Sequence, residues 1–523
     1  MTAFSHIMLR HRGIEEVIMR VSLRFFAITA LLFVSIPRAA LSQAADPRPA
    51  ARITLADYAD RRAELTRQID SGVVLAFGEV EPITDWPTFF QLPAFEYLTG
   101  FDESDAVLLI TKRKGNTSST IFVPTRLRSA ERFLGARTAP EKLESRIGIK
   151  GRDIATLKAV VDSLATAGLP FYIVPDTHMS DFAAEDSLSR GSRFVLRLRA
   201  DHPSVVIATV DTTVDRMRAR KGASEIALLR RAAEISTRAH REAMKATAPG
   251  CTENEIQAVL DGTFRRYGGD RPGYGSIVGG GKNATILHYM KDNDVLNDGD
   301  LLLIDAATSF DHYSADVTRT MPVNGKFTPA QRDIYQIVRD AQEAFVRQIK
   351  PGVTYLTASD SGKAVVTRGL LRLGLIESDS ATFDGAPGFC PPTGCSQRGL
   401  YAWHAYGGHG IGLEVHDPAQ YYGEKHQFQV GDVFTVEPGI YVSPDDLAAL
   451  PDTPKNRAMR AKIGAAFDKY KWIGVRIEDD YALTESGLER LSAGAPREID
   501  EIEALMREPS PDLPGGGKCG RAR

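Results

Sequence analysis

Short apolar runs alternate with helical patterns in the first half of the chain. Two segments, 58–69 and 154–167, repeat their apolar positions with the spacing of an amphipathic helix. Strand-length apolar runs, bounded by glycine or charged residues, lie at 73–77 (VVLAF), 106–111 (AVLLIT) and 171–174 (FYIV). Because helices and strands alternate, the pattern predicts an α/β domain over residues 52–215.

Strands are more prominent in the second half, where longer helices stand between them. A long helix is predicted to begin near Ser224, a good helix-capping residue, after a basic segment at 216–222 that marks a domain boundary. The other predicted elements are strands at 301–304, 433–436 and 472–477, helices at 329–349 and 355–373, and a helical surface insertion at 447–470. Helices set against a strand-rich sheet indicate an α+β domain over residues 222–505.

The amino terminus has the order of a secretory signal peptide. Arg20 and Arg24 precede an apolar run at 25–36 (FFAITALLFVSI), and small residues follow at 39–45. The run is shorter than the roughly 20 residues that a membrane span needs. We therefore expect a signal at residues 1–44, removed after export to the periplasm or the medium. The alternative is an uncleaved membrane anchor.

The net charge bears on whether the protein binds nucleic acid, and the cysteines bear on whether it contains disulfides. The formal net charge is −3, with 64 basic and 67 acidic residues, so no basic surplus favours a nucleic acid partner. In an exported protein we expect Cys390 and Cys395 to form a small loop disulfide. Cys251 is expected in a buried or turn position. Cys519 is expected as a free thiol in a Pro/Gly-rich, disordered tail at 509–523.

Five segments of the second half each place one acid or histidine beside an apolar strand or a glycine. These residues are Asp305, Asp316, His409, Glu437 and Glu478. A carboxylate directly after an apolar run is costly unless something pairs with it. The eleven-position gap between Asp305 and Asp316 suits a strand, a tight turn and a returning strand, which would let the two carboxylates face each other. Taken alone, either aspartate would more often be a turn residue or a salt-bridge partner of Arg319 than a metal ligand.

One imidazole and four carboxylates form the ligand inventory for two divalent metals that share bridging carboxylates. His409 and His416 stand seven positions apart in a glycine-rich stretch at 407–417 (GGHGIGLEVHD), where glycine permits close backbone approach. A lone histidine would more often be structural. The excess of oxygen donors favours manganese, with zinc, cobalt or iron as alternatives. Two close metals acidify a bridging water and polarise a carbonyl.

The five segments, in this order, resemble the pita-bread-fold metallopeptidases, which include methionine aminopeptidase, prolidase and aminopeptidase P. The stretches 300–327 (DLLLIDAATSFDHYSADVTRTMPVNGKF) and 95–101 (FEYLTGF) are most similar to aminopeptidase P, and the resemblance spans about residues 52–505. It implies a creatinase-like α/β amino-terminal domain, an α+β pita-bread catalytic domain and a homodimer or homotetramer. It also implies removal of the first residue from small peptides that carry proline at the second position.

The resemblance implies a role for each of the five ligand candidates. Asp305 would chelate one metal, and Asp316 and Glu478 would bridge both metals. His409 and Glu437 would bind the other metal, and Glu437 would also act as the general base.

Four further positions take their roles from the same resemblance. His288 would lie near the substrate amine, His416 would donate to the scissile carbonyl oxygen, and Arg476 would orient the carboxylates. The family usually has a histidine four positions before the metal-binding histidine, where this chain has Ala405. We expect His404, one position earlier, to take that place.

Other functions remain open at this point. A dipeptide-only prolidase would have the same metal site, and a non-peptidase relative such as creatinase, or a binding module, would share the fold. Retention of all five ligand candidates favours catalysis over these last two. A methionine aminopeptidase is disfavoured because it would not need the amino-terminal α/β domain.

Overall fold

The computed structural model describes most of the chain from residue 52 onward. The described residues are 52–82, 88–125, 128–176, 188–386, 390, 394–402, 407–418, 423, 425–510 and 517–519. The predicted signal peptide at residues 1–44 lies outside them. Within them, no helix combines the length and the apolar character that crossing a membrane requires.

One mixed sheet lies at the centre of the amino-terminal domain. Its strands are β1 (Gly72–Phe77), β2 (Val107–Arg113), β3 (Asn116–Val123), β4 (Lys150–Asp153), β5 (Phe171–Ile173) and β6 (Ile207–Thr209). Their order is β4-β3-β2-β1-β5-β6, with β1 antiparallel to β2 and parallel to β5. The helices of this domain are α1 (Leu55–Arg67), α2 (Pro93–Thr99), α3 (Arg128–Leu134), α4 (Leu143–Ile147), α5 (Leu157–Thr166), α6 (Arg190–Asp201) and α7 (Asp211–Ala219).

Burial on both faces explains why β1 is continuously apolar. All residues of β1 are buried. Val74 and Ala76 pack into a cluster with residues of α1 and α2, whereas Val73 and Leu75 pack on the opposite face with residues of α5 and α6. A strand covered on both sides has no solvent face to carry polar residues. The predicted strands and helices of this half are present, with ends that differ by a few residues.

The carboxy-terminal domain contains longer helices and several small sheets. Its helices are α8 (Ala223–Ala246), α9 (Glu253–Arg266), α10 (Pro329–Val346), α11 (Tyr355–Leu373), α12 (Pro444–Ala449), α13 (Pro454–Tyr470) and α14 (Ile499–Leu505). Its strands are β7 (Arg271–Pro272), β8 (Ile277–Gly280), β9 (Leu301–Asp305), β10 (Thr308–Phe310), β11 (Tyr313–Ser314), β12 (Thr318–Pro322), β13 (Thr382–Phe383), β14 (Cys395–Ser396), β15 (Val433–Val436), β16 (Gly439–Tyr441), β17 (Gly474–Arg476), β18 (Asp479–Thr484) and β19 (Gly487–Arg490).

Two of these sheets carry the segments that the sequence singles out. One has the order β12-β9-β8 and the other the order β15-β18-β19, and all neighbouring strands in both are antiparallel. Strands β9 and β15 are wholly buried. The two sheets are joined where the backbone N–H of Glu478 donates to the Thr318 carbonyl oxygen at 3.1 Å.

Local sequence signals fix the two long helices beside these sheets. Helix α10 begins after Thr328, whose side chain accepts from the backbone of Gln331 while the Gln331 side chain caps the helix in return. Helix α11 ends at Gly374, whose φ of 76° is a left-handed conformation that glycine adopts without strain. The predicted helices at 329–349 and 355–373 are confirmed.

Three sequence predictions need correction at their boundaries. Helix α8 begins at Ala223 after a Gly222 cap that is closed by the Glu225 side chain, so Ser224 lies inside the helix. The basic segment at 216–222 begins as the last turn of α7. The predicted insertion at 447–470 is helical, but α13 buries one face against the core, so it is only in part a surface element.

Two disulfides are present among the described residues. The Cys390–Cys395 loop disulfide is confirmed. The expectation of a free thiol at Cys519 is wrong, because this residue is bonded to Cys251, 268 positions earlier. The backbone N–H of Cys519 also donates to the Ala246 carbonyl oxygen at 3.1 Å. Residues 517–519 are therefore anchored, in contrast to the disordered tail that composition predicted.

Candidate functional site

The ends of antiparallel strands bring the five ligand candidates together. Asp305 ends β9 opposite Thr318 of β12, which places Asp316 just before that strand. Val436 at the end of β15 pairs with Asp479 at the start of β18, so Glu437 and Glu478 leave the same edge. The expected strand, tight turn and returning strand between Asp305 and Asp316 are confirmed, because β9 and β10 lead into a turn at Asp311 and His312 from which β11 and β12 return antiparallel.

Glycines allow the histidine segment to approach β15. The backbone N–H of Thr435 donates to the His409 carbonyl oxygen at 2.9 Å, and the His409 N–H donates to the Thr435 hydroxyl at 3.2 Å. A Cβ atom at Gly408 would overlap the carbonyl oxygen of Thr435. Glycine before the histidine is therefore required for its imidazole to reach the carboxylates.

All five ligand candidates line one cavity of about 800 Å³, which we call the acidic cavity: Asp305, Asp316, His409, Glu437 and Glu478. His409 Nε2 lies 3.4 Å from Asp316 Oδ2 and 3.6 Å from Glu437 Oε1. Ligand atoms of Asp316, His409 and Glu478 all lie within 4.8 Å of one another. The sequence-predicted residues thus occupy one site.

Negative charge is only partly balanced in the acidic cavity. Arg476 Nη2 lies 2.5 Å from Asp305 Oδ2. Burial disfavours the charged form of Asp305, but this guanidinium and the hydrogen bonds around the carboxylate hold its pKa below the usual value. For Asp316 and Glu478, burial and then neighbouring carboxylates raise the pKa well above the usual range. Burial also raises the pKa of Glu437, although His409 opposes the change.

Buried oxygen atoms in this cluster fit a divalent cation. Glu478 Oε2 accepts from the Thr318 hydroxyl at 2.6 Å, whereas Oε1 is buried and has no hydrogen-bond partner in the described structure. An orphaned buried carboxylate oxygen is costly, and a bound cation would satisfy it. The donor set of one imidazole and four carboxylates therefore fits divalent metals.

The three remaining described site candidates also line the acidic cavity: His288, His416 and Arg476. The ring of His416 lies 4.0 Å from that of His409 between centroids. Burial, followed by the nearby His409 and His288, lowers the pKa of His416 to about 4, so its ring is neutral at pH 7. His404 and Ala405 lie outside the described residues.

Comparison with known proteins identifies the family. The profile "Metallopeptidase family M24" matches residues 227–485, and "Aminopeptidase P, N-terminal domain" matches residues 58–169. The Xaa-Pro aminopeptidases of Haemophilus influenzae and Escherichia coli are each 34% identical to the chain over 468 residues, which is 87% of this chain and 98% of each relative. The chain belongs to metallopeptidase family M24.

Solved structures of M24 peptidases share both domains. An Escherichia coli aminopeptidase P with the inhibitor Pro-Leu has a TM-score of 0.72 and 30% identity, covering 87% of this chain and 98% of that one. The proline aminopeptidase P II of Yersinia pestis has a TM-score of 0.71 at 30% identity, covering 87% of this chain and 99% of that one. The predicted aminopeptidase P resemblance, with its α/β domain before a pita-bread domain, is confirmed.

Sequence reasoning missed Tyr274, which lies at the centre of the M24 site. Its hydroxyl lies 2.6 Å from one oxygen of Asp305 and 2.6 Å from one oxygen of Asp316. A phenol has one proton to donate, so Tyr274 shares that proton between these two carboxylates. A single tyrosine between two glycines in a loop carries no sequence signal for this position.

A second missed group anchors the His416 segment to the domain boundary. Arg218 Nη2 lies 2.8 Å from Asp417 Oδ1, and Lys221 Nζ donates to the Asp417 carbonyl oxygen at 2.7 Å. Asp417 Oδ2 accepts from the backbone N–H of Leu413 at 2.8 Å, which closes the loop around His416. These contacts position the imidazole without touching the acidic cavity, and pattern alone marked Arg218 and Lys221 only as part of a basic linker.

Proposed function

We propose that this M24 peptidase releases the first residue from peptides with proline at the second position, using two divalent metal ions. The observation that carries the proposal is the group of Asp316, His409 and Glu478, in which one buried oxygen of Glu478 has no hydrogen-bond partner among the described residues. The named activity of the relatives and the Pro-Leu inhibitor of the Escherichia coli enzyme support the substrate class.

Asp305, His409, Glu437 and the bridging carboxylates of Asp316 and Glu478 would hold the metals, which would supply Lewis acidity to the scissile carbonyl and a water of lowered pKa. Glu437 accepts the proton of the attacking water and returns it to the leaving nitrogen, a task suited to a carboxyl whose pKa burial has raised. Neutral His416 donates a hydrogen bond to the carbonyl oxygen as negative charge develops there.

The leaving group is a proline nitrogen, which is tertiary in the peptide. Like every leaving amide nitrogen, it must receive a proton as the C–N bond breaks. Glu437 lines the acidic cavity together with apolar side chains that suit a pyrrolidine ring, namely Ile277, Leu287 and Val415. The cavity thus combines a proton carrier with an apolar wall.

Manganese is the metal we propose, because four of the five ligand residues offer hard oxygen donors. Export is proposed from the signal-like order of the first 44 residues, and the two disulfides support an oxidising compartment. Assembly as a homodimer or homotetramer rests on the family resemblance alone.

Hydrolysis of Arg-Pro-Pro and of Ala-Pro by the full-length protein, with manganese or with a chelator, tests the proposal. We expect manganese-dependent release of arginine from the tripeptide, and its loss in Asp316→Ala. The exposed Asp468→Ala variant is the matched control and should retain activity. Parallel reactions with Arg-Ala-Pro test the requirement for proline at the second position.

Each alternative result points elsewhere. Cleavage of the dipeptide alone would make the protein a prolidase. If no peptide is cleaved while manganese is shown to be bound, the result would contradict peptidase activity and indicate a non-peptidase member of the fold. Equal turnover of the proline and alanine peptides would contradict the proline requirement.

A further inference from the structure

A second cavity of about 620 Å³ opens beside the acidic cavity at the junction of the two domains, and we call it the side cavity. The two cavities share Tyr274, Gly275, Val415 and His416. The amino-terminal domain supplies Phe90, Gln91, Pro93 and Glu96 to its wall, and the carboxy-terminal domain supplies Arg271 and His312 among others. The two cavities are therefore neighbours that share part of one wall and otherwise differ in lining.

The side cavity adjoins the part of the acidic cavity where the scissile carbonyl is proposed to lie. His416, which both cavities share, is the proposed donor to that carbonyl oxygen, and the side chain of the first residue branches from the carbon atom bonded to that carbonyl. Lys363, a cation suited to the far end of a peptide, lines the acidic cavity but not the side cavity. The side chain of the first residue is thus the part of a substrate nearest the side cavity.

Both carboxylates of the side cavity already have cationic partners. Glu96 Oε1 lies 3.1 Å from His312 Nδ1, and this contact is the largest cause that raises the pKa of His312 to about 9. Glu414 Oε2 lies 2.8 Å from Arg218 Nη2. The direct ion pairs of these two acids are therefore made with His312 and Arg218.

Arg271 is a cation of the side cavity that Glu96 and Asp270 stabilise only through charge attraction at longer range, without a direct ion pair. Its guanidinium lies 3.4 Å from the ring centroid of Phe90, a stacking contact that holds it in place. The Arg271 side chain is half-buried, and among the described residues it makes no hydrogen bond or ion pair. Burial lowers the pKa of Arg271, yet a guanidinium remains protonated at every physiological pH.

We infer that the side cavity receives the side chain of the first substrate residue and that Arg271 selects an acidic one, glutamate or aspartate. This inference rests on the proposed aminopeptidase function and names its substrate class. A carboxylate entering the cavity meets a guanidinium held by Phe90, whose N–H groups have no hydrogen-bond acceptor among the residues that the structure describes. Arg271 acts as a specificity residue and takes no part in bond cleavage.

The test compares kcat/KM for Glu-Pro-Ala, Gln-Pro-Ala and Lys-Pro-Ala with the full-length protein and manganese. Glutamine has the shape of glutamate without its charge, so the first ratio isolates the carboxylate. We expect glutamate to exceed glutamine by about tenfold and lysine by more, the size that one hydrogen-bonded charge pair supplies. In Arg271→Glu the order should reverse, with lysine preferred over glutamate.

Controls separate charge from folding. Arg238→Glu makes the same charge change at an arginine that stacks on Tyr267 at 4.1 Å and does not line the side cavity, and its ratios should match the wild type. Because each ratio comes from one preparation, the folded fraction cancels. If Arg271→Glu is inactive toward all three peptides, Arg271→Gln decides, with an expected glutamate-to-glutamine ratio near one.

Two results would overturn the inference: equal rates for glutamate and glutamine in the wild type, or a ratio unchanged by substitution of Arg271. Either leaves the peptidase active and so spares the proposed function. Failure of the proposed function looks different, because none of the three peptides would then be cleaved by the wild type.

Discussion

Glu478 and Asp479 are neighbours in sequence and both are buried, yet their carboxylates lie in opposite electrostatic settings. Asp479 Oδ1 lies 2.6 Å from Arg319 Nη2, and Oδ2 lies 2.9 Å from Arg497 Nη1. The Ser492 hydroxyl donates to Oδ1 at 2.6 Å. Burial alone would raise the pKa of Asp479, but the arginines outweigh it and hold that pKa below the usual value.

The side chain of Glu478, in contrast, lies among the carboxylates of the acidic cavity. Thr318 donates to one of its oxygens, the other has no partner in the described residues, and its pKa is raised well above the usual range. Arg319, which follows Thr318 directly, faces Asp479 instead. The difference shows that Arg319 and Arg497 satisfy a structural acid, whereas Arg476, the buried arginine at the proposed metal cluster, pairs with Asp305 and leaves Glu478 without an ion-pair partner among the described residues.

Removing the charge of Asp479, the carboxylate paired with two arginines, should have the largest effect on the free energy of unfolding. Asp479→Asn leaves Arg319 fully buried without its anionic partner, and breaking one side of a buried pair costs about 3–5 kcal/mol. We expect a fall of that size in the free energy of unfolding, measured by urea denaturation followed by circular dichroism. Asp468→Asn, whose partner Lys471 is exposed, should change the same quantity by less than about 0.5 kcal/mol. Equal effects of the two substitutions would contradict the structural role.

Substitution of Glu478, which lies among other carboxylates, should not lower the stability of the metal-free protein. Glu478→Gln removes a buried like charge, so the metal-free protein should be no less stable than the wild type. Manganese at 100 times its Kd should stabilise the wild type by about 2.7 kcal/mol and the variant by less. The rate of Arg-Pro-Pro cleavage should fall by roughly 10² or more.

Calorimetry with and without manganese separates these effects. A metal-free variant that unfolds at lower temperature than the wild type would indicate that Glu478 supports the fold. Identical metal-induced shifts in both proteins would remove Glu478 from the ligand set.

The position of the ligand candidates at strand ends could be predicted from the sequence, because an apolar run that stops at a carboxylate marks the end of a buried strand. The apolar runs before Asp305 and Glu437 predict buried strands, and a carboxylate directly after such a run must be paired or bind a cation. The order of the five segments then indicates the family. Helices α10 and α11 are likewise marked by Thr caps and a terminal glycine.

Contacts between distant segments are what pattern could not predict. Arg319 was weighed as a partner for Asp305 or Asp316, but its partner is Asp479, 160 positions away. The Cys251–Cys519 bond and the Tyr274 contacts also join segments that share no local signal. Each depends on which strands become neighbours, and the periodicity of a single strand does not contain that information.

A smaller effect should follow when the one arginine of the cluster is shortened. Arg476 holds Asp305 through Nη2 at 2.5 Å while Nη1 donates to the Tyr441 hydroxyl at 2.7 Å, a geometry that lysine cannot reproduce. Arg476→Lys should lower kcat/KM by about 10–100-fold, as loss of a group that orients ligands does. Arg230→Lys, at the surface pair with Glu489, is the matched control. A manganese affinity unchanged in Arg476→Lys would show that the arginine does not orient the ligands.

The smallest effect concerns the partly exposed Glu96–His312 pair, where solvent screens the charges. Its His312 pKa is raised from 6.5 to about 9, with the Glu96 contact as the main cause. The stabilisation from a raised histidine pKa is complete below pH 6.5 and is lost as the pH rises through 9. The free energy of unfolding of Glu96→Gln should therefore fall below that of the wild type at pH 6, and the gap should close by pH 9.5. When both proteins also carry His312→Gln, the effect of Glu96→Gln on the free energy of unfolding should no longer depend on pH. A difference between Glu96→Gln and the wild type that widens as the pH rises would contradict the assignment.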